Sequence, residues 1–244
     1  MKLESAFAEC EATVRRVDAD RYFSALFAPP EKRPLLFALY AFNHELARIG
    51  EMAREPMAAE IRLQWWRETV ESARAGKPRN HNVALALAEV FLRTDLPPGL
   101  FAGMIDARTF DVSTEPFADD SACDAYLNAT SGNLMRLAGR ILGAGDVHDN
   151  FACEAGIAYG LAGLIRSEAV HRARGKHFIR DAGVAAAEAM RRFSSARTLP
   201  KAGGALPAFL PAALVPLYLK QPGRHRPIYR KQLAFLSASL RGRL

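Results

Sequence analysis

Cysteine is scarce in this chain of 244 residues: Cys10, Cys123 and Cys153 stand far apart and form no CxxC pair. That argues against a disulfide scaffold or a zinc site of the usual thiolate kind, and it points to a reducing compartment. No stretch of about 18 uncharged apolar residues occurs without a proline, and the opening MKLESAFAECEATVRR holds no apolar run of signal-peptide length. Neither secretion nor a membrane span is therefore expected. The expected location is the cytoplasm, with peripheral attachment to the inner face of a membrane left open. Sustained apolar/polar alternation is missing, so half-buried strands are not expected either. There is no repeat of fixed period and no low-complexity linker, although PKAGG at 200–204 has the composition of a joint.

Carboxylates also run out. After Glu188 there is none, and from His171 to Leu244 fifteen Lys/Arg face Asp181 and Glu188 alone. Residues 1–170 carry 18 Lys/Arg against 24 Asp/Glu, so the overall charge of +7 comes from the last third. Such a region favours anionic partners: phosphates, acidic lipid head groups or an acidic protein. No zinc finger, aromatic RNP motif or GxxG clamp accompanies the charge, so nucleic acid is not an expected partner.

What is present is globular composition, 50% hydrophobic and 24% charged, arranged with helical spacing nearly throughout. The fold class expected is all-α. Helices are expected near 32–53, 58–75, 82–93, 98–112, 120–142, 149–174 and 182–197, punctuated by Pro29-Pro30, Gly76, Pro97-Pro98, Gly143 and Gly175. One domain over 1–244 is expected, with 205–244 as a basic helical extension. Pro207, Pro211 and Pro216 break the apolar segment 205–219, whereas 226–244 sets Tyr229, Leu233, Leu236, Leu240 and Leu244 on one face. That stripe is expected to dock on the core, with a lipid interface as the alternative.

Four stretches resemble the squalene/phytoene synthase family: DRYFSALFAPPEKRPLLFALYAFNHELARI (20–49), RLQWWRE (62–68), DAYLNATSGNLMRLAGRIL (124–142) and GIAYGLAGLIRSEAVHRARGKHFI (156–179). Together they span about residues 20–220 in family order. The resemblance implies an isoprenoid-synthase-like helical bundle around a deep apolar central cavity, with diphosphate-binding groups at its mouth.

Head-to-head condensation of two prenyl diphosphates in that family relies on Mg²⁺ held by carboxylates on two helices. Aligned through Leu39, Tyr40 and Ala41, the first acidic motif becomes Ala47, Arg48 and Glu51; aligned through Leu164, Ile165 and Arg166, the second becomes Gly163, Ser167 and His171. One carboxylate cannot hold a cluster of hard cations. The expectation is a member without catalytic residues, metal site or cofactor; Mg²⁺ belongs to the alternative reading, an active prenyltransferase. Asp119, Asp120 and Asp124 read as helix-start acids rather than a substitute site. Asp106 and Asp111 face poorly for joint chelation. His44, His81, His148, His171, His177 and His225 form no HExxH or close pair.

Carried over from the family, Ser24, Tyr40, Tyr126, Gly132 and Arg166 are expected near the ligand's phosphates. Tyr40 and Tyr126 read equally well as core aromatics, and Gly132 as a helix-packing glycine. Trp65 and Trp66 cannot both face one core. The loss of aspartates beside AFNHELA is most similar to the branch that contains a mitochondrial assembly factor of respiratory complex I. The expected partners are an isoprenoid or prenyl diphosphate ligand and an anionic membrane surface or membrane protein. A helical adaptor with a solid core stands as a third reading.

Overall fold

The structure, a computed structural model, describes residues 2–52, 55–113, 115–223 and 226–244. Every regular element among them is helical: α1 (Leu3–Val17), α2 (Ala19–Ala25), α3 (Arg33–Ala47), α4 (Ile49–Met52), α5 (Pro56–Arg74), α6 (Asn82–Arg93), α7 (Pro98–Ala107), α8 (Asp120–Leu127), α9 (Asn133–Ile141), α10 (Asp149–Arg166), α11 (Glu168–Ala173), α12 (Ala182–Thr198), α13 (Val215–Leu219) and α14 (Ile228–Arg241). Prolines open α3, α5 and α7, where a missing N–H is not felt. Asp18, Asp119 and Asp181 cap α2, α8 and α12 through their side chains. The capping expected of the 119–124 acids thus falls to Asp119, whose carboxylate accepts from the Ala122 N–H at 2.8 Å. Asp124 instead joins Glu154 and Glu188 around the Arg192 guanidinium, tying α12 to α8 and α10.

Two helices form the axis of the molecule. Along α3, Leu35 to Phe42 are buried without interruption, and α10 buries residues on all sides from Phe151 to Ile165, as a helix enclosed by others must. α1 and α6 pack on α3, α12 packs on α10, and α9 lies against both. α1 lies outside the expected helices, yet Ala6, Cys10 and Val14 bury one face at steps of four. Burial pushes the Cys10 and Cys123 thiols up to about 12, which leaves them inert at neutral pH.

Several long helices of the sequence reading are interrupted. The 32–53 helix pauses at Arg48, and its expected end at Ala53 lies outside the described residues, as does His225. The 98–112 helix tightens into a 3₁₀ turn, Arg108–Val112. The 120–142 helix contains a π-helical segment, Asn128–Gly132, and the 149–174 helix breaks at Ser167. Residues 203–219 form 3₁₀ turns and short α13, as their prolines dictate. They are not peripheral: Leu206, Phe209, Leu210, Leu214 and Tyr218 belong to the same apolar cluster as α3 and α10.

The 226–244 segment departs most from expectation. The stripe Tyr229, Leu233, Leu236 and Leu240 faces solvent, and of the five residues Leu244 alone is buried. α14 docks instead through Phe235, Ala238 and Lys231, because Lys231 reaches a buried carboxylate in α2. On α5, Trp66 is buried against Phe42 while Trp65 is half-buried, their rings meeting edge to face at 4.9 Å.

Candidate functional site: a cation-lined cavity

A cavity of about 660 Å³ opens between the α1–α2 turn, the π-helical segment, α10 and the start of α14. Its first wall is built on Asp20, the second residue of α2. Burial drives this carboxylate toward its neutral form. The Lys231 and Tyr218 hydrogen bonds and the charges of Lys231 and Arg166 outweigh that and hold it below the usual carboxylate range. Tyr159 donates at 2.9 Å, Tyr218 donates to the same oxygen, and the Lys231 ammonium sits 2.7 Å from the other. The Arg166 guanidinium lies 3.6 Å from Asp20 and 4.4 Å above the Tyr218 ring. Burial raises both tyrosine hydroxyls, which therefore remain donors.

The opposite wall is built on Asp111, in the 3₁₀ turn behind the cavity surface. Tyr126 donates to it at 2.6 Å and Arg108 at 2.9 Å, while Arg108 also reaches the Tyr126 hydroxyl and the Asn43 side-chain oxygen. Between the walls the floor is Leu127, Thr130, Ser131, Gly160, Gly163 and Leu164. The floor depends on a backbone contact: a Cβ on Gly156 would lie 2.5 Å from the Gly132 Cα, so α10 can meet the π-helical segment only through glycine.

Arg16, Arg21, Arg108, Arg166, Arg226 and Lys231 face this space, against Asp18 and Asp20. Asp18 is taken by Arg21 at 2.6 Å, and Asp20 by the partners above. The cavity thus carries excess positive charge and several guanidinium forks, a chemistry suited to phosphate oxygens. The residues do not fit a Mg²⁺ cluster. Arg48 pairs with Glu45 and Glu51 with Arg174, and neither they nor Ala47 line the cavity. Gly163, Ser167 and His171 do line it, but offer no carboxylate. No group of three or more His, Cys, Asp or Glu is placed to hold a metal among the described residues. His171, half-buried against Phe178, is held below its ordinary pKa by burial and by Arg174, so it is mostly neutral near pH 7.

Of the residues carried over from sequence, Tyr126 and Arg166 line the cavity. Ser24 and Tyr40 lie behind it, with the Arg21 guanidinium 5.9 Å from the Tyr40 ring, and Gly132 is in the floor contact with Gly156. Asp20, Tyr159, Tyr218, Arg108, Asp111 and Lys231 were not singled out as site residues from sequence. Asp20 heads the stretch DRYFS, but nothing local marks it as the anchor of residues up to 211 positions away.

Residues 14–180 match the sequence profile of the squalene/phytoene synthases. The chain belongs to the squalene/phytoene synthase family. A human relative, NADH dehydrogenase (ubiquinone) complex I, assembly factor 6, is 30% identical over 171 residues, covering 70% of this chain and 51% of its own. A phytoene synthase of Mycobacterium bovis is 24% identical over 168 residues, 68% of this chain and 54% of its own. The chain thus spans about half the length of the curated relatives it matches. Among solved structures, a dehydrosqualene synthase in complex with ligand superposes with a TM-score of 0.83 at 15% identity, covering 98% of this chain and 97% of that one. At that identity the likeness establishes the family's helical fold.

Proposed function

We propose that this protein is a non-catalytic member of the squalene/phytoene synthase family that holds a phosphate-bearing isoprenoid-like lipid in its cation-lined cavity and serves the assembly of respiratory complex I. One observation carries the reading. Where the family's chemistry needs carboxylates to gather Mg²⁺ around a diphosphate, this cavity presents guanidinium and ammonium groups instead. A diphosphate is then held directly, by Arg166 with Tyr126 across from it, with no carboxylates to bring divalent ions onto its oxygens. Ser24, Tyr40 and Gly132 shape the wall and floor behind those contacts. The assembly role rests on the names of the relatives, the human assembly factor 6 among them.

Calorimetry with farnesyl diphosphate and with inorganic diphosphate, with and without Mg²⁺, tests the ligand. Binding is expected without the metal and should weaken by about tenfold in Arg166→Leu. Incubation with radiolabelled farnesyl and geranylgeranyl diphosphate should release no diphosphate; Mg²⁺-dependent release with a C30 or C40 product would overturn the non-catalytic reading in favour of a head-to-head prenyltransferase. Deleting the gene should lower the amount of assembled complex I in membranes, and an unchanged amount would overturn the assembly role.

A further inference from the structure

The helix α14 has two faces that point in opposite directions. One is Lys231, Phe235 and Ala238, turned into the protein. Half a turn of the helix away, Tyr229, Leu233, Leu236 and Leu240 stand at steps of four, three and four and are 56%, 60%, 47% and 80% exposed. Ile228, also half-exposed, precedes them, and Phe27, in the turn after α2, rests edge-on against Phe235 with 37% of its surface still in water. An isolated surface leucine needs no explanation; four large apolar residues in one row on a docked helix do.

We propose that this outward face of α14 lies in the plane of an anionic phospholipid bilayer and anchors the protein to it. The charge around the stripe selects that occupant. At 100° per residue, Arg230, Ser237 and Arg241 form the border of the stripe on one side and Gln232 and Ser239 on the other. Arg243 follows, and no carboxylate occurs anywhere after Glu188. An apolar row edged on one side by arginines and on the other by uncharged polar residues is an arrangement that sinks into the head-group boundary while its arginines meet lipid phosphates. A second copy is the wrong partner, because pairing two carboxylate-free helices sets cations against cations. Crossing the bilayer is also excluded for this helix: its 14 residues reach roughly 21 Å at 1.5 Å each, short of the hydrocarbon core of about 30 Å. No described helix is long and apolar enough to span.

The anchor is held in the right orientation by the site itself. Lys231 of α14 is gripped by Asp20, and Arg226, just ahead of the helix, lines the same cavity. The proposal does not depend on what the cavity binds.

Flotation of the full chain with vesicles of phosphatidylcholine alone and of phosphatidylcholine mixed with phosphatidylglycerol tests it. Flotation is expected with the mixed vesicles, should weaken as salt is raised, and should fall by at least about tenfold in Leu233→Asp/Leu236→Asp. Both substituted side chains are exposed, so the circular dichroism and melting of that variant should match the parent. Tyr229→Trp gives an independent reading: the emission of the introduced indole should shift to the blue on the mixed vesicles. No flotation, flotation indifferent to the double substitution, or an unshifted indole emission from the bound Tyr229→Trp variant would overturn the proposal. Self-association in vesicle-free sedimentation that disappears in the double variant would overturn it in favour of a second copy.

Discussion

The two walls of the cavity hold one buried carboxylate each, and they are assembled in different ways. Asp111 is gripped by Arg108, three residues before it, and Tyr126, fifteen after it. Asp20 is gripped by Tyr159, Tyr218 and Lys231, which follow it by 139, 198 and 211 residues. The grip on Asp111 forms within one stretch of chain, whereas the grip on Asp20 exists only once α2, α10, α13 and α14 have come together. Loop closure makes such distant contacts slow to gain and jointly dependent. Asp20 therefore acts as a keystone for the fold, and Asp111 as a local brace that orients Arg108 and Tyr126 toward the cavity.

Removing the keystone should have the largest effect. Asp20→Ala leaves Lys231 and two tyrosines without their acceptor and should destabilise the protein by about 3–5 kcal/mol in urea unfolding. The same change at Asp111 leaves Arg108 still bonded to Asn43 and Tyr126, so about 2–3 kcal/mol is expected. Equal losses would remove the distinction between the walls. Gly156→Ala drives a methyl into the Gly132 backbone where the walls meet, and about 1–3 kcal/mol is expected, together with weaker diphosphate binding as the floor shifts.

Acid should separate the walls more gradually. The Asp20 carboxyl is depressed in the folded protein, so its contribution is complete above its unfolded value of about 3.9 and is lost as pH falls through the folded one. Asp20→Asn should lack that part of the acid-induced loss, which unfolding curves between neutral and acidic pH would show. His171 gives the mildest effect. Its pKa is also depressed, so stability is full above about 6.5 and declines as the pH drops below it. In His171→Gln that decline should be shallower.

Much of this was legible in the chain. Helical spacing identified the all-α class and most helices, proline and glycine marked their ends, and the ordered stretches at 20–49, 62–68, 124–142 and 156–179 carried the family. Ala47 and Arg48 in place of acids, and likewise Gly163, Ser167 and His171, could be read directly. The interruptions at Arg48, Asn128–Gly132 and Ser167 were less legible, because the flanking residues keep helical spacing across them. At Gly132 the sequence shows the glycine but not the helix pressed against it.

The α14 stripe shows where sequence periodicity stops being informative. A period of 3.6 determines which residues share a face, and Tyr229, Leu233, Leu236 and Leu240 do share one. It does not determine which way that face turns. Docking by Lys231, Phe235 and Ala238 joins Lys231 to the buried Asp20 carboxylate and buries the Phe235 ring, so the ion pair and the aromatic turn inward together and the leucine row is left outside. The sequence by itself determined the helices, the family and the absence of the family's carboxylates, because those are written in local order and identity. The charge of the cavity and the outward face of α14 were decided by tertiary structure, because both rest on ion pairs between residues that the chain holds far apart.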